Sequence, residues 1–186
     1  KRAEEAGIAA LALHGRTRED MYLNTARYDL IKEVKQLIRI PVVANGDIDS
    51  PEKAKYVLDY TGADAIMIGR AAQGRPWIFR EIAHYLETGE HLAAPSIQEV
   101  KEVLLGHLAE LYAFYGEYSG CRIARKHIAW YTKGLRSSNE FRQNMYKVES
   151  TTEQFKVVAD YFDQLLIHGE TMNDVQVEQV NLLETK

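Results

Sequence analysis

The chain has 186 residues, a net charge of −4 and a hydrophobic fraction of 46%. These values are ordinary for a soluble globular protein of one domain or two small ones, and they exclude a polycation that coats nucleic acid along its whole length. No apolar run reaches the roughly 18 residues that a bilayer-spanning helix needs, and the first residues lack the apolar core of a signal peptide. Cys121 has no second cysteine with which to form a disulfide. We therefore expect a cytoplasmic protein without a membrane contact.

The first ninety residues alternate between short apolar runs and amphipathic stretches. Residues 1–6 predict the last turn of a helix that ends at Gly7. The apolar runs at residues 8–13, 41–44 and 65–68 predict strands buried on both faces of a parallel sheet, and the stretches at residues 30–38, 51–60 and 78–86 predict helices. This spacing is typical of βα units. Three strands cannot close a barrel, so the remaining strands of one would have to lie upstream.

The pattern changes at residues 88–95, which predict a domain boundary. Helical periodicity without any strand pattern follows, over residues 100–115, 122–131, 138–148 and 152–166, with a turn at residues 116–120. The prediction is therefore an α/β domain over residues 1–90, an all-α helical domain over 96–168 and a flexible acidic tail over 169–186.

Polar or glycine-containing groups follow all three predicted strands. They are His14-Gly15-Arg16, Asn45-Gly46-Asp47 and Gly69-Arg70. Glycine lets backbone N–H groups approach an anion closely, and an arginine can donate two hydrogen bonds to phosphate oxygens. A single Asn-Gly-Asp is more often only a turn. Three such groups at consecutive strand ends favour a phosphate and cofactor site, because the active sites of barrels lie at this edge of the sheet.

Five segments of the chain carry a resemblance to a known family, three around the strand ends and two in the helical region. The segments are Ala-Leu-His-Gly-Arg-Thr-Arg (12–18), Pro-Val-Val-Ala-Asn-Gly-Asp-Ile (41–48), Ala-Ile-Met-Ile-Gly-Arg-Ala-Ala-Gln-Gly-Arg-Pro-Trp-Ile-Phe (65–79), Phe-Tyr-Gly (114–116) and Arg-Ile-Ala-Arg-Lys-His (122–127). They resemble the tRNA-dihydrouridine synthases, most of all the bacterial B-type members, over about residues 1–166. The resemblance implies the C-terminal three βα units of a TIM (β/α)8 barrel, followed by a helical tRNA-binding domain.

The same resemblance implies a chemistry and a set of residues. The expected reaction is the reduction of uridine in tRNA to 5,6-dihydrouridine, with FMN as cofactor and NADPH as reductant. The residues expected to hold FMN are His14, Asn45, Gly46, Asp47, Gly69 and Arg70, and Arg16 is expected at the uridine pocket. The family's proton-donating cysteine is expected upstream, so no catalytic residue is assigned in this chain and the chain alone is expected to be inactive. Cys121 is interpreted as a small structural residue at the start of a helix.

Basic residues concentrate in one part of the helical region. Residues 121–147 contain seven basic residues and one acidic residue, whereas residues 148–186 contain two basic and eight acidic residues. Helical spacing places several of the basic residues on one face, opposite an apolar face. The residues predicted to contact RNA phosphates are Arg122, Arg125, Lys126, Lys133 and Arg136. A basic face that is merely solvated is the alternative interpretation.

Two other functions stay open at this point. One is an FMN-barrel dehydrogenase of a free pyrimidine, which would have no use for a basic helical surface. The other is a non-catalytic RNA-binding module. The six histidines are scattered and no cysteine pair exists, so no metal site is expected. Three βα units alone would leave two open sheet edges, and we expect such an isolated sheet to be unstable, swapped or oligomeric.

Overall fold

The computed structural model describes residues 1–19 and 25–172. The chain divides into two compact units, Lys1–Leu92 and Ala93–Lys186. Most of the predicted acidic tail, residues 173–186, lies outside the described residues. Within the described residues, no helix is long and apolar enough to cross a membrane.

The described part of the first unit alternates strands and helices. Its elements are α1 (Arg2–Glu5), β1 (Leu11–His14), α2 (Tyr28–Leu37), β2 (Val42–Asn45), α3 (Pro51–Thr61), β3 (Ala65–Met67), a 3-10 turn (Arg70–Ala72) and α4 (Ile78–Thr88). The three strands form one parallel sheet in the order β1-β2-β3. The α/β alternation and the parallel sheet are as the sequence predicts.

Helix α3 shows how local sequence sets the ends of these helices. The side chain of Ser50 caps the helix by accepting a hydrogen bond from the backbone N–H of Lys53 at 3.1 Å, and Pro51 occupies the first turn. At the other end Gly62 takes the left-handed conformation, with φ of 68°. The helix predicted over residues 51–60 is confirmed, and it extends to Thr61.

One face of the sheet is covered and the other is open. Leu13, Ala44 and Ile66 stand opposite one another across the three strands, and all three pack in the core formed with α2, α3 and α4. The next row, which contains His14 and Asn45, points to the opposite face. Side chains of β1 and β3 are exposed on this face.

The prediction of strands buried on both faces is therefore wrong for β1 and β3. The helices of the described unit cover one side of the sheet only, and β1 and β3 are its two edges. Strand β1 also begins at Leu11 instead of Ile8. Pairing with β2 starts at Leu11, whose backbone N–H donates to the carbonyl of Pro41 at 2.9 Å.

The described part of the second unit is all helical. Its elements are α5 (Ile97–Tyr131), α6 (Ser138–Met145) and α7 (Thr151–Ile167). Gly116, at φ 74° and ψ 178°, interrupts α5. A Cβ at Gly120 would lie 3.2 Å from the Cα of Tyr112, although eight residues of straight helix would separate them by about 12 Å. Helix α5 is therefore a hairpin of two segments, residues 97–115 and 117–131. The turn predicted at residues 116–120 is confirmed, but Gly116 is the residue at which the helix is interrupted.

Gln154 of α7 joins the parts of this unit. Its side chain is fully buried, its Oε1 accepts from the hydroxyl of Tyr112 at 2.7 Å, and its Nε2 donates to the carbonyl of Cys121 at 3.2 Å. Glu117 contributes a second link, since its carboxylate accepts from the backbone N–H and the hydroxyl of Thr151 at the start of α7. One buried amide thus fixes both segments of the hairpin against α7.

Candidate functional site

A row of three side chains crosses the open face of the sheet at its carboxyl edge. His14, Asn45 and Met67 are paired in register across β1, β2 and β3. The Nδ2 of Asn45 donates to the carbonyl oxygen of Met67 at 2.7 Å, so the amide ties two strands together. The row combines an imidazole, an amide and a thioether, which suits a flat ligand with one polar edge.

The loop after β2 requires its glycine. Gly46 has φ of 124°, and a Cβ at this position would lie 2.8 Å from the Cβ of Ala26 and 3.2 Å from the Cε1 of His14. The hydroxyl of Tyr28 donates to the carbonyl oxygen of Gly46 at 2.7 Å. Asp47 follows at φ 50°, a conformation that aspartate tolerates better than most residues. The tight turn aims the carboxylate of Asp47 toward the chain that follows β1.

Asp47 is the electrostatic centre of the site. Its two oxygens accept from the two terminal nitrogens of Arg16 at 2.7 and 2.6 Å, and one also accepts from the backbone N–H of Ala26 at 2.8 Å. A guanidinium nitrogen of Arg70 lies 3.4 Å away. Burial alone would raise the pKa of this carboxyl, but the hydrogen bonds and the charges of the two arginines bring the pKa below its ordinary value of 3.8. Asp47 is therefore ionised at neutral pH.

These groups surround one open pocket of about 930 Å³. All seven residues expected at FMN or at the uridine line it, and Gly15 does not: His14, Arg16, Asn45, Gly46, Asp47, Gly69 and Arg70. The sequence reasoning missed Thr25, Lys53 and Met67, which line it as well. Lys53 had a usable signal, because it lies in the first turn of the helix that follows Asn45-Gly46-Asp47. Met67 could have been found from the alternation of side chains along strands, because it lies on the same face of the sheet as His14 and Asn45.

Arg16 and Asp47 pair with each other at the edge of the pocket. The side chain of Arg16 is only 8% exposed, and its guanidinium is directed at Asp47. The carboxylate of Asp47 would repel a phosphate, and instead it holds Arg16 and approaches Arg70. Both residues line the pocket, and the geometry makes them an ion pair that joins the loops after β1 and β2.

In the second unit, four of the five predicted RNA-contacting residues are exposed: Arg122, Lys126, Lys133 and Arg136. The guanidinium carbon of Arg122 lies 3.6 Å from the ring centroid of Tyr118, and the Nζ of Lys126 lies 5.1 Å from that of Trp130. Arg122 and Lys126 are therefore exposed cations on the second hairpin segment, and Lys133 and Arg136 follow it in the chain.

Arg125 has a different environment from these four. It is half-buried, its guanidinium donates to the carbonyl oxygen of Val148 at 2.9 Å, and its Nε is buried. This contact fixes the connection between α6 and α7. We therefore do not count Arg125 in the exposed basic face.

Cys121 is a core residue of the second unit. It is 1% exposed, its thiol donates to the carbonyl of Val148 at 3.4 Å, and burial raises its pKa. Such a thiol is a poor proton donor to an external substrate because it has no access to one. Within the described residues, no group of three His, Cys, Asp or Glu side chains could hold a metal ion.

Comparison with known proteins shows the family to which the chain belongs. The family model for dihydrouridine synthase matches residues 1–166. The chain is similar to tRNA-dihydrouridine synthase B of Shewanella oneidensis, with 59% identity over 164 residues, 88% of this chain and 51% of the relative. It is also similar to the proteins of that name from Vibrio vulnificus (58% over 165 residues, 89% and 51%) and Pseudomonas aeruginosa (58% over 169 residues, 91% and 51%). The chain thus spans about half the length of these curated relatives. On the match over residues 1–166, the chain belongs to the dihydrouridine synthase family.

Proposed function

We propose that a polypeptide of the relatives' full length reduces uridine in tRNA to 5,6-dihydrouridine, using FMN as cofactor and NADPH as reductant. The observation that carries the proposal is the convergence of the three strand ends on one pocket. The names of the relatives supply the tRNA substrate. Since tRNA is a cytoplasmic molecule, we propose that the protein acts in the cytoplasm. The three βα units would form part of a TIM barrel, with the open sheet face as its interior.

The residues of the pocket fit the phosphate end of a flavin mononucleotide. Arg70 has a side chain that is 60% exposed, and Lys53 lies in the first turn of α3 at the same pocket. Gly69 has nothing within 4 Å of the place where a Cβ would be, so its backbone leaves room for a ligand. Two cations beside an accessible backbone form a suitable phosphate site, and the volume lies within the range of cofactor pockets.

The row on the open face would receive the flavin ring. Asn45 keeps an amide oxygen available beside its hydrogen bond to Met67, and the imidazole of His14 has a nitrogen able to donate or accept. Reduced FMN would supply the hydride for the C5–C6 bond of uridine. The pair of Arg16 and Asp47 would keep the two loops at a fixed separation beneath the ligand. The proton donor is expected outside this chain, because Cys121 is buried in the other unit.

The exposed cations of the second unit would contact tRNA phosphates. We assign this role to Arg122, Lys126, Lys133 and Arg136, and assign Arg125 to the fold because of its contact with Val148. Binding should weaken as salt rises, since each phosphate contact releases counterions. A free pyrimidine would need no such surface.

The test uses the full-length protein and separates the cofactor from the substrate. The protein should purify with flavin absorbance and convert unmodified tRNA, not free uracil, when NADPH is present. Arg70→Met should weaken FMN binding about 10- to 100-fold, as expected for one lost charge-assisted hydrogen bond, with little effect on riboflavin, which lacks the phosphate. Lys55→Met, on an exposed i,i+4 pair with Asp59, is the matched control and should bind both flavins normally.

Three results would contradict the proposal. Absence of flavin from the folded full-length protein would refute the cofactor site. Reduction of free uracil without reduction of tRNA would favour the free-pyrimidine dehydrogenase. Binding of tRNA without flavin or reductase activity would favour the non-catalytic RNA-binding module.

A further inference from the structure

The tip of the α5 hairpin exposes aromatic rings that the basic face does not explain. Phe114 is 81% exposed, Tyr115 50% and Tyr118 70%. We call these three residues the aromatic tip. Phe114 is the most exposed large hydrophobic side chain in the described part of the chain. Exposed aromatic side chains that stand together commonly mark a binding surface.

The aromatic tip continues into the basic residues of the second hairpin segment. Tyr118, Arg122, Lys126 and Trp130 follow one another at four-residue intervals, so they form one stripe on the helix surface. The stripe is already ordered by internal contacts, because Arg122 lies over the ring of Tyr118 and Lys126 lies over Trp130. The stripe therefore begins and ends with an aromatic ring and carries two cations between them.

The aromatic tip itself is also arranged by its own contacts. The rings of Phe114 and Tyr115 meet edge to face, with centroids 4.8 Å apart and planes at 80°. Gly116 follows with φ of 74°, which turns the chain so that Phe114 and Tyr118 belong to the same hairpin tip. The turn at Gly116 and the ring contacts thus arrange Phe114 and Tyr115 at the tip, beside Tyr118 with Arg122 over its ring.

We infer that the aromatic tip stacks on unpaired nucleotides of the RNA substrate, while Arg122 and Lys126 bind the phosphates between them; this inference rests on the proposed function. Proteins that bind single-stranded nucleic acid combine a cationic track with aromatic stacking platforms. A guanidinium plane on an aromatic ring is itself a surface on which a base can stack. Bases within a duplex are already stacked on one another and offer no such face.

Charge complementarity selects RNA over an apolar partner. Two of the three rings are tyrosines, whose hydroxyls favour a wet interface, and the stripe that follows carries two positive charges. An apolar docking helix would leave both cations buried without anions, which is unfavourable. A single-stranded RNA offers bases that stack on the rings and phosphates that pair with the two cations.

The test measures binding of the whole 186-residue chain to a fluorescently labelled 12-nucleotide oligouridylate and to a duplex RNA of equal length. The double variant Phe114→Leu, Tyr118→Leu removes the rings and keeps apolar side chains. Its affinity for oligouridylate should fall about tenfold for each ring, while its affinity for the duplex stays within about twofold. Tyr146→Leu removes a 43% exposed ring elsewhere in the same unit and should leave both affinities unchanged.

Salt dependence distinguishes the rings from the charges. The ring variant should keep the salt slope of the unmodified chain, because it loses no phosphate contact. The variant Arg122→Gln, Lys126→Gln should lose about 0.7 in slope for each phosphate contact removed. Circular dichroism should show unchanged helix content in all variants.

Each contrary outcome has a distinct meaning. Equal binding of oligouridylate by the ring variant and the unmodified chain, with weaker binding by the charge variant, would overturn the stacking inference and leave the proposed function standing. An equal loss for oligouridylate and duplex would also overturn it. No binding of either RNA by the folded chain would refute the RNA face itself. Binding to phosphatidylserine vesicles that depends on the rings, without RNA binding, would replace RNA with a lipid surface.

Discussion

Replacement of Asp47 by asparagine tests whether the ion pair with Arg16 holds the site together. Asparagine keeps the size of the side chain and tolerates the positive φ of 50°, so backbone strain does not change. The amide nitrogen would face a guanidinium nitrogen of Arg16, which is also a donor. The variant therefore removes the charge and two of the hydrogen bonds that Asp47 accepts, one from Arg16 and one from either Ala26 or Arg70.

The expected loss of stability follows from the exposure of the two partners. Removing one partner of a fully buried ion pair costs about 3–5 kcal/mol, and an exposed pair contributes about 0–1 kcal/mol. Arg16 is 8% exposed and Asp47 23% exposed, so the pair lies nearer the buried limit. We expect Asp47→Asn to lower the free energy of unfolding of the first unit by about 2–3 kcal/mol.

Urea unfolding, monitored by tryptophan fluorescence, measures this loss of stability in the first unit. The chain has two tryptophans, and Trp77, in the first unit, is 8% exposed. In a Trp130→Phe background its emission reports on that unit. Asp59→Asn is the matched control, since its exposed i,i+4 pair with Lys55 should contribute less than about 0.5 kcal/mol.

The pH dependence gives an independent check with a defined sign. The folded pKa of Asp47 is lowered below its ordinary value of 3.8, so its contribution to stability is complete above that value. The contribution is lost as the pH falls through the folded pKa. The difference in stability between the unmodified chain and Asp47→Asn should therefore be constant near neutrality and shrink below about pH 4.

A double-mutant cycle with Arg16→Met identifies the cause. If the loss comes from the unpaired guanidinium, adding Arg16→Met to Asp47→Asn should restore part of the stability, with a coupling of about 1–3 kcal/mol. Strictly additive losses, or an Asp47→Asn variant as stable as the unmodified chain, would refute the argument that this ion pair joins the two loops.

Three further substitutions test other features by chemical unfolding. Gly46→Ala should destabilise the first unit by about 1–3 kcal/mol, because its Cβ would lie 2.8 Å from that of Ala26 at φ 124°, and an unchanged midpoint would contradict this. Gly116→Ala should destabilise the second unit by a similar amount because of its positive φ. Gly106→Ala is the control: it lies within the helix with open space around it and should stabilise the unit by about 0.5–1 kcal/mol. Equal effects of the two substitutions would argue against the hairpin. Gln154→Leu should cost about 1–3 kcal/mol by leaving buried polar partners unpaired, and a neutral result would show that water replaces the amide.

Local signals in the sequence predict much of the fold because they act over a few residues. Ser50 and Gly62 mark the ends of α3 through capping that needs no distant partner. The placement of Gly116 at a turn follows in the same way, since a glycine between two helical patterns interrupts them at little cost. The register rule for parallel strands brings the three strand ends to one edge of the sheet.

Side-chain partners separated by many residues could not be predicted in this way. Helical spacing places Arg125 beside Arg122, but its contact with Val148 depends on how the connection between α6 and α7 folds back. Arg16 is directed to Asp47, 31 residues away, and no local pattern in the sequence indicates that contact. In both cases the guanidinium donates to a partly buried acceptor, and only the tertiary fold decides which acceptor is near.

The parallel α/β unit, the helical unit and the polar groups at the strand ends could be predicted from the chain's local patterns, because periodicity, capping and register are encoded within a few residues. Only the tertiary structure shows that His14, Asn45 and Met67 form one row on an open face, and that Asp47 pairs with Arg16 across two loops. It also decided that the aromatic tip stays exposed. The physical reason is the same throughout: burial and pairing depend on what lies opposite in space, and sequence distance does not measure that.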